Sequence, residues 1–327
     1  MKLRILSYAD VKQALPMAAA IQGMKSAYAQ LSGGEAEMPL RSHVSTDHGS
    51  TLIMPAFLPQ NNSMAVKVVS VFPQNAVQGL PLIHALVMVV DPKTGQPLAL
   101  LEGGSLTAIR TGAASGAATD ILARPDAAVA AIFGCGTQAR TQLEAVCTVR
   151  DIQEVRVFCL DHAGAEAFMA DMAGKGPIPY NIQLAKDADT AVADADIICT
   201  ATTSNTPVFD GKRLKPGAHV NGVGSFLPTM QEIDLITVQR SLVVVDSREA
   251  VLEEAGDLLI PLQNGDIFLD HIHAELGEII NGDIHGRTAA SQITFFKSVG
   301  VAVQDAAAAG IALQYAQEHN LGKMITL

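Results

Sequence analysis

The rhythm of apolar and polar positions changes near residue 127. Before it, a helical stretch over residues 8–31 and the turn signal Ser32-Gly33-Gly34 lead into short apolar runs at 40–45, 51–58, 64–72 and 82–90. No helical period separates these runs, so they predict consecutive strands in a largely antiparallel sheet. Asp91-Pro92-Lys93-Thr94-Gly95-Gln96 reads as a hairpin turn that returns the chain into residues 97–101. Residues 105–122 follow a helical pattern rich in small side chains, which predicts a closely packed helix bridging two domains.

From residue 127 the pattern is strand, helix, strand. Runs at 127–133, 155–160, 182–185, 197–201, 219–223 and 242–246 predict six short strands of a doubly wound parallel sheet. A last helix is predicted over 295–318, with a small-residue face at 306–310, returning to the first domain. The fold class is therefore α/β. The parallel sheet occupies 113–300, and 1–112 with 301–327 form a mixed, largely antiparallel α+β domain.

The strand at 127–133 closes on Phe133-Gly134-Cys135-Gly136-Thr137-Gln138-Ala139-Arg140, and a helical pattern follows. A buried strand breaking into Gly-x-Gly-x-x-Ala and then a helix is the context of a dinucleotide fingerprint. Gly134 allows the tight turn, Gly136 the approach of a pyrophosphate, and Ala139 close helix packing. The helix N-terminus offers its N–H groups to phosphates. The next strand ends at Asp161, about twenty residues past the motif, where a carboxylate accepts the ribose hydroxyls of NAD. NAD(H) is thus expected in preference to NADP(H), although Arg140 and His162 stand near enough in sequence to favour a 2′-phosphate. Ala201-Thr202-Thr203 and Val223-Gly224-Ser225 follow two further buried strands, at the carboxyl ends where such sheets bind ligands. These features predict a Rossmann domain.

Composition narrows the function. The chain has 327 residues, 49% of them hydrophobic, enough for two cored domains. A net charge of -11 without a Lys/Arg cluster argues against nucleic acid. No apolar run approaches a bilayer span, and Asp10 interrupts the N-terminus before any signal-like region, so no membrane partner and a cytoplasmic location are expected. Cys135, Cys147, Cys159 and Cys199 lack metal spacing and read as buried free thiols. His271, His273, Glu275 and Glu278 resemble a metal cluster, but the two histidines would diverge on a helix, and no metal is expected.

Several residues invite chemistry. Lys67 lies in the apolar run Ala65-Val66-Lys67-Val68-Val69, either guarding an edge strand or donating to an anionic substrate. Arg41 and Arg110 carry planar forks suited to a carboxylate, or are surface charges. His84, inside a strand, is a core histidine or a substrate contact.

Lys67 in its strand, Leu106-Thr107-Ala108-Ile109-Arg110-Thr111-Gly112-Ala113, the glycine loop, Ala274-Glu275-Leu276-Gly277-Glu278 and Thr294-Phe295-Phe296-Lys297-Ser298-Val299-Gly300 together resemble the ornithine cyclodeaminase/mu-crystallin family. The resemblance covers essentially the whole chain, in order. It implies a homodimer joined through the split substrate domain, and a Rossmann domain carrying NAD(H) or NADP(H). It implies that Arg41, Lys67 and Arg110 hold a substrate carboxylate, that Thr111 and the glycine loop hold phosphates, and that Lys297 and Ser298 lie near the cofactor. One position departs from the cyclodeaminases, which carry an aspartate where this chain has Ser225. A hydroxyl of ordinary pKa is no strong base at pH 7. Mu-crystallin, a ketimine reductase, similarly has a serine, although Ser225 could also be a turn or cap residue. The expected activity is therefore NAD(P)H-dependent reduction of a cyclic imino acid. Δ1-Pyrroline-2-carboxylate giving L-proline is the favoured substrate, Δ1-piperideine-2-carboxylate a second one, and Lys67 and Ser225 are the candidate catalytic residues. Alanine dehydrogenase, ornithine cyclodeaminase and a non-catalytic cofactor-binding protein are the alternatives.

Overall fold

The computed structural model describes the backbone of residues 1–327 and every side chain except that of Ala76. The chain opens with β1 (Lys2–Leu6). The expected single helix over 8–31 is two, α1 (Tyr8–Ala14) and α2 (Met17–Ser32), because Pro16 cannot continue the first and instead starts the second. Five strands follow: β2 (Ser42–Thr46), β3 (Gly49–Leu58), β4 (Ser63–Val71), β5 (Ile83–Val90) and β6 (Pro97–Glu102). Helix α3 (Gly103–Leu122) is buried from Ala108 through Thr119. A helix apolar or small on every side is the kind that lies in a core.

Strand and helix then alternate through β7 (Val129–Phe133), α4 (Thr137–Val149), β8 (Glu154–Phe158), α5 (His162–Met172), β9 (Ile182–Leu184), α6 (Ala188–Val192) and β10 (Ile197–Thr200). The chain continues through β11 (His219–Gly222), α7 (Leu235–Arg240), β12 (Ser241–Val245), α8 (Arg248–Glu254), α9 (Gly256–Asn264), β13 (Ile272–Glu275), α10 (Leu276–Asn281) and β14 (Ile293–Lys297). It ends with α11 (Ala302–Glu318) and β15 (Lys323–Thr326). The helix expected from residue 295 thus begins later. The β-branched and aromatic run Ile293-Thr294-Phe295-Phe296 forms a fully buried strand, and Gly300, at φ 88°, turns the chain before α11.

Two compact units result, Met1–Arg110 with Val301–Leu327, and Thr111–Gly300. In the first unit the sheet runs β15-β1-β6-β5-β4-β3-β2, antiparallel except for the β1–β6 pair. Helices α2 and α11 pack on each other, and α11 lies on β3, β4 and β5. The approach is close because α11 offers small residues: a Cβ on Gly310 would meet Ser63 Oγ at 2.0 Å, and that hydroxyl donates to the Ala306 carbonyl.

The second unit holds an eight-stranded sheet, β13-β12-β14-β11-β10-β7-β8-β9, parallel throughout. Two of its strands, β13 and β14, fall outside the six runs read from the sequence. Apolar clusters fill both faces of the sheet, one around Phe133, Ile198 and Phe295 and one around Ile132, Leu143 and Phe168. Among the described residues no helix is long and apolar enough to cross a membrane.

Candidate active site

The strand order reverses between β7 and β10, and ligands of open α/β sheets bind at such a switch point, beyond the carboxyl ends of the strands. The loop after β7 is the glycine motif. Gly134 has φ 103°, and a Cβ there would meet the Ala201 carbonyl oxygen at 2.7 Å, so this turn requires glycine. Gly136 is the N-cap of α4, with φ -77°; no side chain caps the helix, and nothing lies within 4 Å of where its Cβ would be. The Oε1 atom of Gln138 is buried without a hydrogen-bond partner among the described residues. A bare helix start, open space over Gly136 and an unpaired acceptor fit a dinucleotide's phosphates and their hydration. Helix α4 is seated against α3 by Gly112, whose Cβ would meet the Thr141 carbonyl at 2.4 Å, and by a bond from Gln142 Nε2 to the Thr111 carbonyl.

Asp161 is exposed just past β8 and caps α5, its Oδ1 accepting from the Gly164 N–H at 3.0 Å. Arg140 is occupied by the Cys135 carbonyl and Asp171. Of the free cysteines, Cys147 and Cys199 are buried, whereas Cys135 and Cys159 are only half-buried, a correction that follows from their places on loops at strand ends. Burial pushes the Cys135, Cys147 and Cys199 thiols up to about 12.

Beyond β10 and β11 a buried carboxylate missed in the sequence joins two loops. Glu232 accepts from Thr200 Oγ1 (3.0 Å), the Thr202 N–H (2.6 Å) and hydroxyl (2.7 Å), and the Gly224 N–H (2.7 Å). Burial, and then the neighbouring Asp257, raise its pKa. Asp257 accepts from the Glu232 and Ile233 N–H groups and pairs with Lys297. Thr202 and Val223, both cofactor candidates, are thereby fixed at adjacent strand ends, Val223 through its N–H to the Thr200 carbonyl.

Three further expected side chains are buried and bonded within the chain. The Ser225 hydroxyl donates to the Met230 carbonyl at 2.8 Å and is fully buried, so within the chain it fastens a turn. The Lys297 ammonium, also fully buried, is consumed by Asp257 and the Ser225 carbonyl. The Ser298 hydroxyl donates to Asp246, which also collects the Val299 and Gly300 N–H groups. Glu275 and Glu278 serve as caps and partners of Arg248, and His273 bonds the His285 carbonyl. Among the described residues no group of three His, Cys, Asp or Glu could hold a metal ion.

The first unit gathers a different set. On β4, Lys67 is 2% exposed and its ammonium lies 2.6 Å from Asp305 Oδ2 of α11. The other oxygen of Asp305 accepts from Arg110 Nε at 3.1 Å, and Gln304 Oε1 accepts from Arg110 Nη1 at 2.6 Å. Gln304 is itself held by the Tyr28 hydroxyl. Burial first, then the charges of Arg110 and Arg41, lower the Lys67 pKa to about 8, while Asp305 opposes them. Two cations share one carboxylate, so Asp305 alone does not neutralise the Lys67–Arg110 pair, an arrangement suited to an anion.

His84 is not part of this set. It pairs with Ser70, and Lys67 with Val87, so His84 and Lys67 point to opposite faces of the sheet. A strand's period of two decides this; the sequence run alone could not, because the register was unknown. Asp305 and Gln304 were legible only as polar breaks in an alanine-rich helix.

A parallel sheet with a dinucleotide-type loop, and a second unit with a buried cation pair, define a two-unit nucleotide-dependent oxidoreductase. The chain matches the ornithine cyclodeaminase/mu-crystallin family over residues 1–320 and belongs to it. It is 43% identical over 290 residues to a Δ1-pyrroline-2-carboxylate reductase of Bacillus cereus, covering 88% of each chain. The solved Δ1-pyrroline-2-carboxylate reductase of Thermococcus litoralis, in complex with NADH and L-proline, is similar at TM-score 0.93 and 43% identity, over 98% of this chain and 99% of that one. An archaeal alanine dehydrogenase dimer with bound NAD is similar at TM-score 0.93 and 33% identity over the whole of both chains.

Proposed function

We propose that this protein reduces Δ1-pyrroline-2-carboxylate to L-proline with NADH. The observation that carries the reading is the Lys67–Arg110 pair on one buried carboxylate, a positively charged receptor for a compact anion. A reduced nicotinamide, when bound, would supply hydride to the C=N carbon. Lys67 and Arg110, with Arg41, would hold the substrate's carboxylate and fix the ring, which is the positional part of catalysis. An iminium that is already protonated needs no strong base, in keeping with a Ser225 hydroxyl turned into its own loop. The similarity to reductases from Bacillus cereus and Thermococcus litoralis supports the five-membered ring. The piperideine analogue is a second substrate of the same chemistry.

The preference for NADH rests on Asp161, which stands exposed past β8 where a ribose diol would bind and a 2′-phosphate would be repelled. The homodimer rests on the row Ile53, Val68 and Leu86, which are register neighbours on three strands and exposed on the sheet face opposite Lys67. An apolar row of that kind is the sort of surface a second copy covers.

The test is NADH oxidation with the cyclic imine, with pyruvate plus ammonia, and ammonia release from L-ornithine with catalytic NAD. Turnover of the imine far above the other two is expected. Faster turnover of pyruvate plus ammonia would make the protein an alanine dehydrogenase, and no turnover of any would favour a non-catalytic binding role. Repeating the imine assay with NADPH, and weighing the protein in solution by light scattering, test the cofactor preference and the dimer.

A further inference from the structure

We propose that Asp305 is a positioning residue for the substrate carboxylate: from α11 it holds the Lys67 ammonium and the Arg110 guanidinium side by side on its two oxygens. The inference rests on the reductase reading above.

The geometry is specific. Asp305 is 1% exposed, Lys67 2% and Arg110 6%, so none of the three has bulk water to keep it charged. Removing an ammonium from water is unfavourable unless a countercharge is built in. Asp305 is that countercharge, one oxygen per cation. Its own position is over-determined: Gly310 and Ser63 bring α11 down onto β4, and the neighbouring Gln304 ties Arg110 to Tyr28 of α2. One carboxylate cannot neutralise two cations. An incoming substrate carboxylate would complete the balance at two positive and two negative charges, with Arg41 outside the pair. Asp305 therefore does two things that a neutral residue of the same shape would not. It fixes the spacing of the two donors, and it keeps the proton on Lys67 while the site waits for substrate.

The charged groups acting on Lys67 are Asp305 from α11, Arg110 from α3 and Arg41 from the segment before β2. Burial and both arginines favour the neutral amine, and Asp305 alone among these opposes them. Its loss must therefore lower the pH at which Lys67 gives up its proton. Anion binding that depends on the ammonium should fail at correspondingly lower pH.

The experiment compares the wild type with Asp305→Asn in two readouts. One is the Ki of pyrrole-2-carboxylate against the imine from about pH 6 to 10, a planar anion whose ring nitrogen does not titrate there. The other is the titration of 13Cε-labelled Lys67 by NMR, assigned through Lys67→Met. We expect Ki to rise about 10- to 100-fold, the worth of one bond to a charged group, with its alkaline rise and the Lys67 midpoint both displaced to lower pH. A midpoint that stays at the wild-type value, or an unchanged Ki, overturns the proposal. If Asp305→Asn does not fold, Asp305→Glu keeps the charge on a longer arm. It should leave the Lys67 midpoint near wild type but weaken the inhibitor, and wild-type Ki in that variant also overturns the proposal. Failure of the wild type to reduce the imine would instead sink the reductase reading, while the NMR titration would still test Asp305.

Discussion

The Lys297 ammonium lies 2.7 Å from the Asp257 carboxylate, and neither side chain has any solvent exposure. Asp257 in turn accepts the N–H groups of Glu232 and Ile233, so the ion pair underlies the loop that carries Glu232. Removing one member of a buried pair strands the other charge, at a cost of about 3 to 5 kcal/mol. Lys297→Met should lose stability of that order in urea unfolding. Adding Asp257→Asn should recover part of it, because the stranded charge is then gone. Independent, additive losses in the double variant would contradict the coupling.

Ser225 leads to a second expectation. Its hydroxyl satisfies the Met230 carbonyl inside the fold, so Ser225→Ala should act on stability first. An unpaired buried acceptor costs about 1 to 3 kcal/mol. Imine kcat/KM should fall by no more than about tenfold, the reach of one neutral hydrogen bond. Loss of turnover in a variant whose unfolding midpoint is unchanged would show that the hydroxyl reaches the substrate.

Where the sequence was informative, the signal was periodicity or punctuation. The glycine loop, the parallel sheet and the antiparallel strands all carry such marks, and Lys67 and Arg110 stood out as charges in apolar or small-residue surroundings. Three kinds of feature were hidden. Strand β14 reads in the sequence as the start of a helix because a short apolar run carries no period of its own. The facing of His84 depends on register, which a single strand does not contain. Glu232, Asp246 and Asp257 act by collecting backbone N–H groups from distant segments, and only the folded chain brings those together.

His219 makes stability depend on pH. It is fully buried between Thr294 and Asn221, and burial, assisted by Arg287, lowers its pKa to about 3. In the unfolded chain the imidazole takes up its proton near 6.5, the ordinary value for histidine. Between those two values the unfolded state holds more protons, so unfolding free energy rises with pH there. The contribution is complete above the unfolded value and is lost as the pH falls toward 3. A single such group gives a slope approaching 1.4 kcal/mol per pH unit, about tenfold in the folding constant. Urea unfolding of His219→Gln between pH 4 and 6 should show a shallower slope than wild type, and equal slopes would assign the dependence to other groups.

Gly136 separates the requirements of the fold from those of the cofactor. Gly134 cannot be exchanged without disturbing the Ala201 carbonyl and a left-handed turn, so its loss would confound folding with binding. Gly136 has an ordinary φ of -77°, and a Cβ on it meets nothing within 4 Å. Alanine there is therefore compatible with the chain alone, and stability without ligand should stay within about 0.5 kcal/mol of wild type. The added methyl would nevertheless stand over the N–H groups at the start of α4, where the pyrophosphate is expected. Backbone-to-phosphate distances of hydrogen-bond length leave no room for it. NADH affinity, followed by fluorescence, should weaken at least about tenfold in Gly136→Ala, a loss of some 1.4 kcal/mol. Binding of L-proline, held by Lys67 and Arg110 of the other unit in this reading, should change far less when it is measured without cofactor. Wild-type NADH affinity in Gly136→Ala would mean that the dinucleotide does not lie across this turn.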